Sequence, residues 1–186
     1  RTGIEKSRNL MTIRLANEIG IPKILQTAKE FGIDEYLDDN MSMSLGSGLV
    51  KLIDITNAYG IIANGGKKIQ PNFIQSIYDR KGKLVFKSSN KNCDECLIEN
   101  VDSQNINIPK ILDTKEVVID SRIAYQVTSM MEGVVQRGTA VKLKDLGFPL
   151  AGKTGTTNKN KDAWFIGYSP DIVVGIYVGY DQPKTL

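Results

Sequence analysis

Apolar residues recur every three to four positions in the first third of the chain, which is the spacing of an amphipathic helix. Gly20 and Gly32 follow two of these patterns, and glycine commonly lies just after a helix end. Pro22 suits a first helical position. We therefore predict helices over residues 10–19, 22–31 and 52–62, with residues 1–6 as the end of another.

The pattern changes after residue 70. Two short apolar runs, residues 72–78 and 83–86, flank the turn sequence Asp79-Arg80-Lys81-Gly82 and predict a hairpin. Residues 87–118 are polar and aperiodic, which is typical of a long surface loop or insertion. We expect one domain over residues 1–186, with residues 87–118 as a variable loop.

The last third combines one helix with three strands. The helix is expected to begin near Asp120 or Ser121 and to end at Gly138. Residues 137–139 are predicted to be architectural, a helix end packed near the strand that follows. Strands are predicted over residues 149–156, 162–168 and 172–180, and the last is so apolar that we expect cover on both faces. Helices first and a strand meander last indicate an α+β fold.

The first of these strands carries the candidate chemistry. Lys153-Thr154-Gly155-Thr156 places a cation, two hydroxyls and a position without a side chain in one extended run. Glycine inside a strand often marks a close approach to the backbone, and lysine with hydroxyls suits a substrate carboxylate. Alternate side chains place Lys153 and Gly155 on one face, and Thr154 and Thr156 on the other.

Composition excludes several classes of function. The chain has 186 residues and no histidine, so it contains no Ser-His or Cys-His pair and no histidine-ligated zinc site. Its net charge of +3 is small, and the basic residues are interspersed with acids, which argues against a nucleic-acid-binding face. Cys93 and Cys96 are too few for a zinc site and suggest a local disulfide or two free thiols.

A second motif, Ser7-Arg8-Asn9, precedes Lys153-Thr154-Gly155 in the chain. Both match, in order, motifs of penicillin-binding proteins and serine β-lactamases. Thr157-Asn158 after the lysine motif follows the class A pattern. Further similarity runs through residues 44–47, 58–59, 63–66, 137–140 and 162–167. The chain thus resembles the class A penicillin-binding proteins, which implies an incomplete form of the transpeptidase fold that they share with serine β-lactamases.

The resemblance implies a role for each residue of the strand motif. In the family, the residues matching Lys153 and Thr156 hold the carboxylate of a terminal D-Ala or of a β-lactam. The backbone N–H at Thr156 forms one half of the oxyanion hole. Thr154 and Gly155 belong to the same substrate-binding strand, and Gly155 leaves space for the substrate.

The same resemblance implies catalytic roles for Ser7, Asn9 and Lys153. The serine relays protons between the lysine of the nucleophile motif and the leaving or attacking amine. The asparagine amide both donates and accepts, so it can hold a peptide group of the substrate. The ordinary alternative for Ser7 is a helix cap. Arg8 occupies the variable position and receives no role.

The nucleophile motif of the family, Ser-x-x-Lys at the start of a helix, should precede Ser7, and no match lies there. The literal match at Ser88-Ser89-Asn90-Lys91 comes after Ser7, in a polar stretch that no helix pattern supports. We therefore expect the nucleophilic serine, a glycosyltransferase module and a membrane anchor upstream of Arg1 in a longer parent protein. The isolated chain is expected to be inactive.

The function that the resemblance implies is D,D-transpeptidation. A serine takes the acyl group from the D-Ala-D-Ala end of a peptidoglycan stem peptide, and an amine of a neighbouring peptide receives it. β-Lactams are expected to bind the same site, and no metal or organic cofactor is implied. The expected location is the periplasmic face of the inner membrane. A serine β-lactamase and a non-catalytic peptidoglycan- or β-lactam-binding domain remain alternatives.

Overall fold

The computed structural model describes residues 1–34, 37–88, 115–157, 161–182 and 184–186. They form two compact units, one made of Arg1–Ile69 with Glu116–Leu186 and the other of Gln70–Lys115. Cys93 and Cys96, the candidates for a local disulfide, lie outside the described residues. No helix within the described ranges is long and apolar enough to cross a membrane.

The first part of the larger unit is helical, as the apolar spacing predicts. Its elements are α1 (Thr2–Glu5), α2 (Asn9–Ile19), α3 (Ile21–Glu30), a 3₁₀ helix (Met41–Leu45) and α4 (Leu52–Ala63). Gly20 lies between α2 and α3 with a φ of 85°, a conformation that glycine adopts without steric cost. The sequence pattern did not predict the 3₁₀ helix.

The smaller unit contains the predicted hairpin. Its strands β1 (Ser76–Tyr78) and β2 (Leu84–Lys87) pair in antiparallel fashion. The Asp79 carboxylate accepts the backbone N–H groups of Lys81 and Lys83, both at 2.8 Å, and thereby fixes the turn.

The helix α5 (Ser121–Arg137) begins and ends where the sequence predicts. The Asp120 carboxylate caps it by accepting the backbone N–H of Arg122 at 2.8 Å. Just before this cap, the backbone of Val118 donates to Gly66 at 2.8 Å. The C-terminal end of the predicted variable loop is therefore hydrogen bonded to the turn that follows α4.

Three antiparallel strands, β3 (Ala151–Thr156), β4 (Asp162–Tyr168) and β5 (Val173–Gly179), form a sheet in the order β3-β4-β5. One face of the sheet packs on α4 and α5, where Ala151, Tyr168 and Met131 are buried together. The Tyr168 hydroxyl lies 2.8 Å from that of Thr128 on α5. Among the described residues, a second 3₁₀ helix (Val141–Leu146) connects α5 to β3. The α+β prediction is confirmed.

The predicted cover on both faces of the last strand is wrong for the described residues. Gly175 faces α4, where an added Cβ would overlap the side chain of Thr56. The opposite face of β5 stays accessible, with Val174, Ile176 and Val178 exposed by 41, 48 and 52%. An apolar run shows that both faces of a strand carry apolar side chains, but it does not show whether other parts of the protein cover each face.

Candidate active site

The outer edge of β3 organises the site. Thr157, just beyond β3, donates its backbone N–H to the carbonyl of Asp162 at 3.1 Å, towards β4. Successive residues of a strand direct their backbone groups to opposite edges, so the N–H of Thr156 and the carbonyl of Thr154 are directed away from β4. No other strand among the described residues pairs with that edge. Backbone donors and acceptors are therefore available there.

Lys153 and Ser7 meet at this edge although 146 positions separate them in the chain. The Lys153 ammonium donates to the Ser7 hydroxyl at 2.5 Å and to the carbonyl of Thr154 at 2.7 Å. Burial lowers the pKa of Lys153 from its ordinary value of 10.5, because partial desolvation penalises the charged form. An anion beside the ammonium would offset this penalty.

The backbone that presents Ser7 has an uncommon conformation. Ser7 has a φ of 50° and is the sole non-glycine residue of the described chain with a positive φ. The N–H of Arg8 donates to the carbonyl of Gly3 at 2.8 Å, and that of Ser7 to Ile4 at 3.3 Å. This pair of bonds is a Schellman ending of α1, with serine at the position that glycine usually occupies.

The other predicted site residues lie around this pair. Asn9 is the first residue of α2, and its side chain is exposed. Thr156 is exposed at the end of β3. The Thr154 hydroxyl lies 2.6 Å from that of Thr139, which follows α5. A Cβ added to Gly155 would lie 3.2 Å from the Cβ of Trp164, so glycine permits close packing against β4.

A buried carboxylate that sequence reasoning missed lies two residues before Ser7. Glu5 is 5% exposed and pairs with Arg137, from the segment predicted to be architectural, and with Arg1. The Arg137 hydrogen bond lowers the pKa of Glu5 below its ordinary value of 4.5. One signal in the sequence was available: Gly133, in the interior of α5, lies where a side chain would overlap this carboxylate.

The alternative serine, Ser88, belongs to the smaller unit. Its hydroxyl accepts a hydrogen bond from the Asn72 amide at 2.7 Å, and its backbone N–H donates to Gln75 at 2.9 Å. Lys91, the lysine of this literal Ser-x-x-Lys match, lies outside the described residues. The described contacts of Ser88 are those of a residue at the end of a hairpin strand.

Known proteins resemble the chain over its whole length. The family profile described as the penicillin binding protein transpeptidase domain matches residues 1–185. Penicillin-binding protein 1A of Rickettsia bellii is 49% identical over all of this chain, and that of Neisseria meningitidis is 37% identical. The chain covers 24% and 21% of these two proteins, so it spans about a quarter of the length of its curated relatives.

Solved structures agree with the sequence relatives. Penicillin-binding protein 1A from Haemophilus influenzae superposes with a TM-score of 0.81 at 26% identity, covering 97% of this chain and 30% of its own. The PonA1 protein from Mycobacterium tuberculosis, solved in complex with penicillin V, gives a TM-score of 0.73 at 25% identity, covering 98% and 48%. This chain belongs to the family of penicillin-binding protein transpeptidase domains and, within it, to the class A proteins.

Proposed function

We propose that this chain supplies the carboxylate-binding and proton-relay part of a D,D-transpeptidase site that also binds β-lactams. The observation that carries the proposal is the contact between the Lys153 ammonium and the Ser7 hydroxyl at the free edge of β3. It joins the two sequence motifs of the family at a strand edge that a peptide can approach.

The partly desolvated Lys153 is the anchor for the substrate carboxylate. Its lowered pKa reflects an ammonium that has lost water, and a carboxylate restores charge-assisted hydrogen bonds. Thr156 belongs to the other face of β3, but the Lys153 ammonium extends to the strand edge, at the carbonyl of Thr154, where the exposed Thr156 supplies its hydroxyl to the same carboxylate. A D-Ala terminus and a β-lactam share this carboxylate, which explains one site for both.

The unpaired edge of β3 orients the scissile bond. An extended stem peptide can add to this edge as a further strand through backbone hydrogen bonds. The Thr156 N–H, directed away from β4, then donates to the carbonyl oxygen that becomes negative during attack. Gly155 carries no side chain that would separate the substrate from the strand.

Acyl transfer proceeds in two balanced steps. A serine hydroxyl attacks the carbonyl carbon of the penultimate D-Ala, the C–N bond breaks, and the proton of that hydroxyl passes through the Ser7 hydroxyl to the departing amine. An amine of a second stem peptide then attacks the ester carbonyl carbon, the ester C–O bond breaks, and the proton of the amine returns to the oxygen of the nucleophilic serine. Asn9 holds a peptide group of the substrate through its amide.

We place the nucleophilic serine in a Ser-x-x-Lys segment upstream of Arg1 in the parent polypeptide, because that motif precedes Ser-x-Asn in the family. The parent is proposed to be anchored in the inner membrane with this domain in the periplasm, where peptidoglycan is cross-linked. The chain's share of its relatives, about a quarter of their length, is compatible with a larger parent.

The test is β-lactam acylation by the full-length parent carrying Lys153→Ala, Thr156→Val or Ser7→Ala. Loss of a hydrogen bond to a charged group costs about 1.5–3 kcal/mol, which is roughly one to two decades in rate. Lys142→Ala, an exposed lysine on the second 3₁₀ helix, is the matched control and should acylate as the unsubstituted protein does. Rates within twofold of the unsubstituted protein for all three site variants would exclude this site.

A further inference from the structure

The buried Glu5 carboxylate is held by two arginines, Arg137 and Arg1. Arg137 donates through Nε to one carboxylate oxygen at 3.0 Å and through Nη2 to the other, a bidentate contact. Arg1 donates through Nε to Oε1 at 2.9 Å. A planar guanidinium meeting both oxygens fixes the direction of the carboxylate as well as its distance.

Two glycines of the helix segment that packs on α1 leave the space that Glu5 occupies. A Cβ at Gly133 would overlap the Glu5 carboxylate, and one at Gly138 would overlap the Glu5 carbonyl oxygen. Gly133 lies in the interior of α5, where glycine weakens a helix relative to alanine. The packing of α5 is thus shaped around one residue of α1.

Glu5 is connected both to the strand that carries Lys153 and to Ser7. Its backbone carbonyl accepts the N–H of Thr139 at 3.2 Å, and the Thr139 hydroxyl contacts that of Thr154, next to Lys153. In the other direction, Glu5 is two residues from Ser7. The helix α1 has four residues, too few to hold its position without tertiary contacts.

We propose that the Glu5–Arg137 ion pair is a positioning element that holds Ser7 against Lys153. The pair fixes α1 to the end of α5, and Thr139 fixes that end to β3. The distance between the Ser7 hydroxyl and the Lys153 ammonium therefore depends on a contact that touches neither. This inference rests on the proposed proton-relay function of Ser7, and its test separates the two.

The experiment measures penicillin acylation by the full-length parent, with the acylation rate constant resolved from the dissociation constant of the prior noncovalent complex. Glu5→Gln keeps the shape of the side chain and removes its charge. We expect the rate constant to fall about tenfold or more, because small misplacements of reacting groups carry large penalties. The dissociation constant should change less than twofold, because Lys153 and Thr156 are untouched.

A double-substitution cycle shows whether Glu5 acts through Ser7. In a Ser7→Ala protein the hydroxyl to be positioned is gone, so adding Glu5→Gln should lower the rate constant no further. Arg137→Lys retains the charge but loses the bidentate contact, so it should lower the acylation rate constant by a smaller factor. It replaces Glu5→Gln in the test if that variant fails to fold. A merely structural role would lower thermal stability and leave these rate constants unchanged in folded protein.

Glu116→Gln is the matched control, because Glu116 and Lys68 form an ion pair at 2.8 Å with side chains 66 and 43% exposed. It should leave both constants unchanged. An unchanged rate constant in Glu5→Gln with a large loss in Ser7→Ala would overturn the positioning role alone. Losses that multiply in the double variant would also overturn it, and an unaffected Ser7→Ala would overturn the relay function itself.

Discussion

Ser7 combines an unfavourable backbone conformation with a required hydroxyl, so replacement by glycine should relieve the strain and lower the activity. A φ of 50° places the backbone of Ser7 in the left-handed region. In that region a residue other than glycine destabilises the folded state by about 1 kcal/mol or more. The Schellman ending of α1 would favour glycine, but glycine has no hydroxyl for Lys153 to contact.

Two substitutions separate these effects. Ser7→Ala and Ser7→Gly both remove the hydroxyl, whereas only Ser7→Gly removes the Cβ. Relief of the strain should make Ser7→Gly the more stable of the two by about 1 kcal/mol in the free energy of unfolding. The greater conformational freedom of glycine in the unfolded chain reduces this difference in part. For a domain of this size that difference corresponds to a melting temperature about 2–4 °C higher.

Calorimetry of the full-length parent supplies the melting temperatures, read from the transition that penicillin shifts in the unsubstituted protein. Stopped-flow measurements give the acylation rates, which should fall about a hundredfold in both variants. This is the lower end of the range for removing a group that transfers a proton in catalysis. If Ser7→Gly melts no higher than Ser7→Ala, the backbone at Ser7 carries no strain that glycine relieves. If either variant acylates at the original rate, the hydroxyl takes no part in the relay.

Two further predictions concern the buried carboxylate and the missing nucleophile. Because Arg137 lowers the pKa of Glu5 in the folded state, the stabilisation by Glu5 is complete above its unfolded value and is lost as the pH falls through the folded one. The melting-temperature advantage over Glu5→Gln should therefore shrink as the pH is lowered below 4.5, and an advantage independent of pH would contradict the pairing. The 186-residue chain alone should gain no mass on incubation with penicillin, measured by intact-mass spectrometry. A stoichiometric adduct on Ser7 or Ser88 would contradict an upstream nucleophile.

Much of the fold follows from local sequence signals. The bounds of α2, α4, α5 and β4 agree with the predictions within about two residues, because periodicity and glycine or aspartate at the ends are local properties. The 3₁₀ helices at residues 41–45 and 141–146 escaped prediction. Each is too short to show a period of its own.

The site was less predictable than the fold, because its contacts cross the chain. The motifs indicated that Lys153 and Ser7 share a site, but no sequence pattern gives the positive φ of Ser7. Glu5 and Arg137 lie 132 positions apart, so neither shows its partner to a local analysis. The one local sign of this contact was Gly133, a glycine in the interior of a helix. It is required there because a side chain would overlap the carboxylate of Glu5 on α1.

A structure of the full-length parent acylated by penicillin would show which residues form the site. We expect the penicillin carboxylate to lie within about 3 Å of the Lys153 ammonium and the Thr156 hydroxyl. We also expect the ester carbonyl oxygen to accept the Thr156 N–H and the acylated serine to lie upstream of Arg1. A carboxylate held by other residues, or an ester on a serine of this chain, would contradict the proposed site.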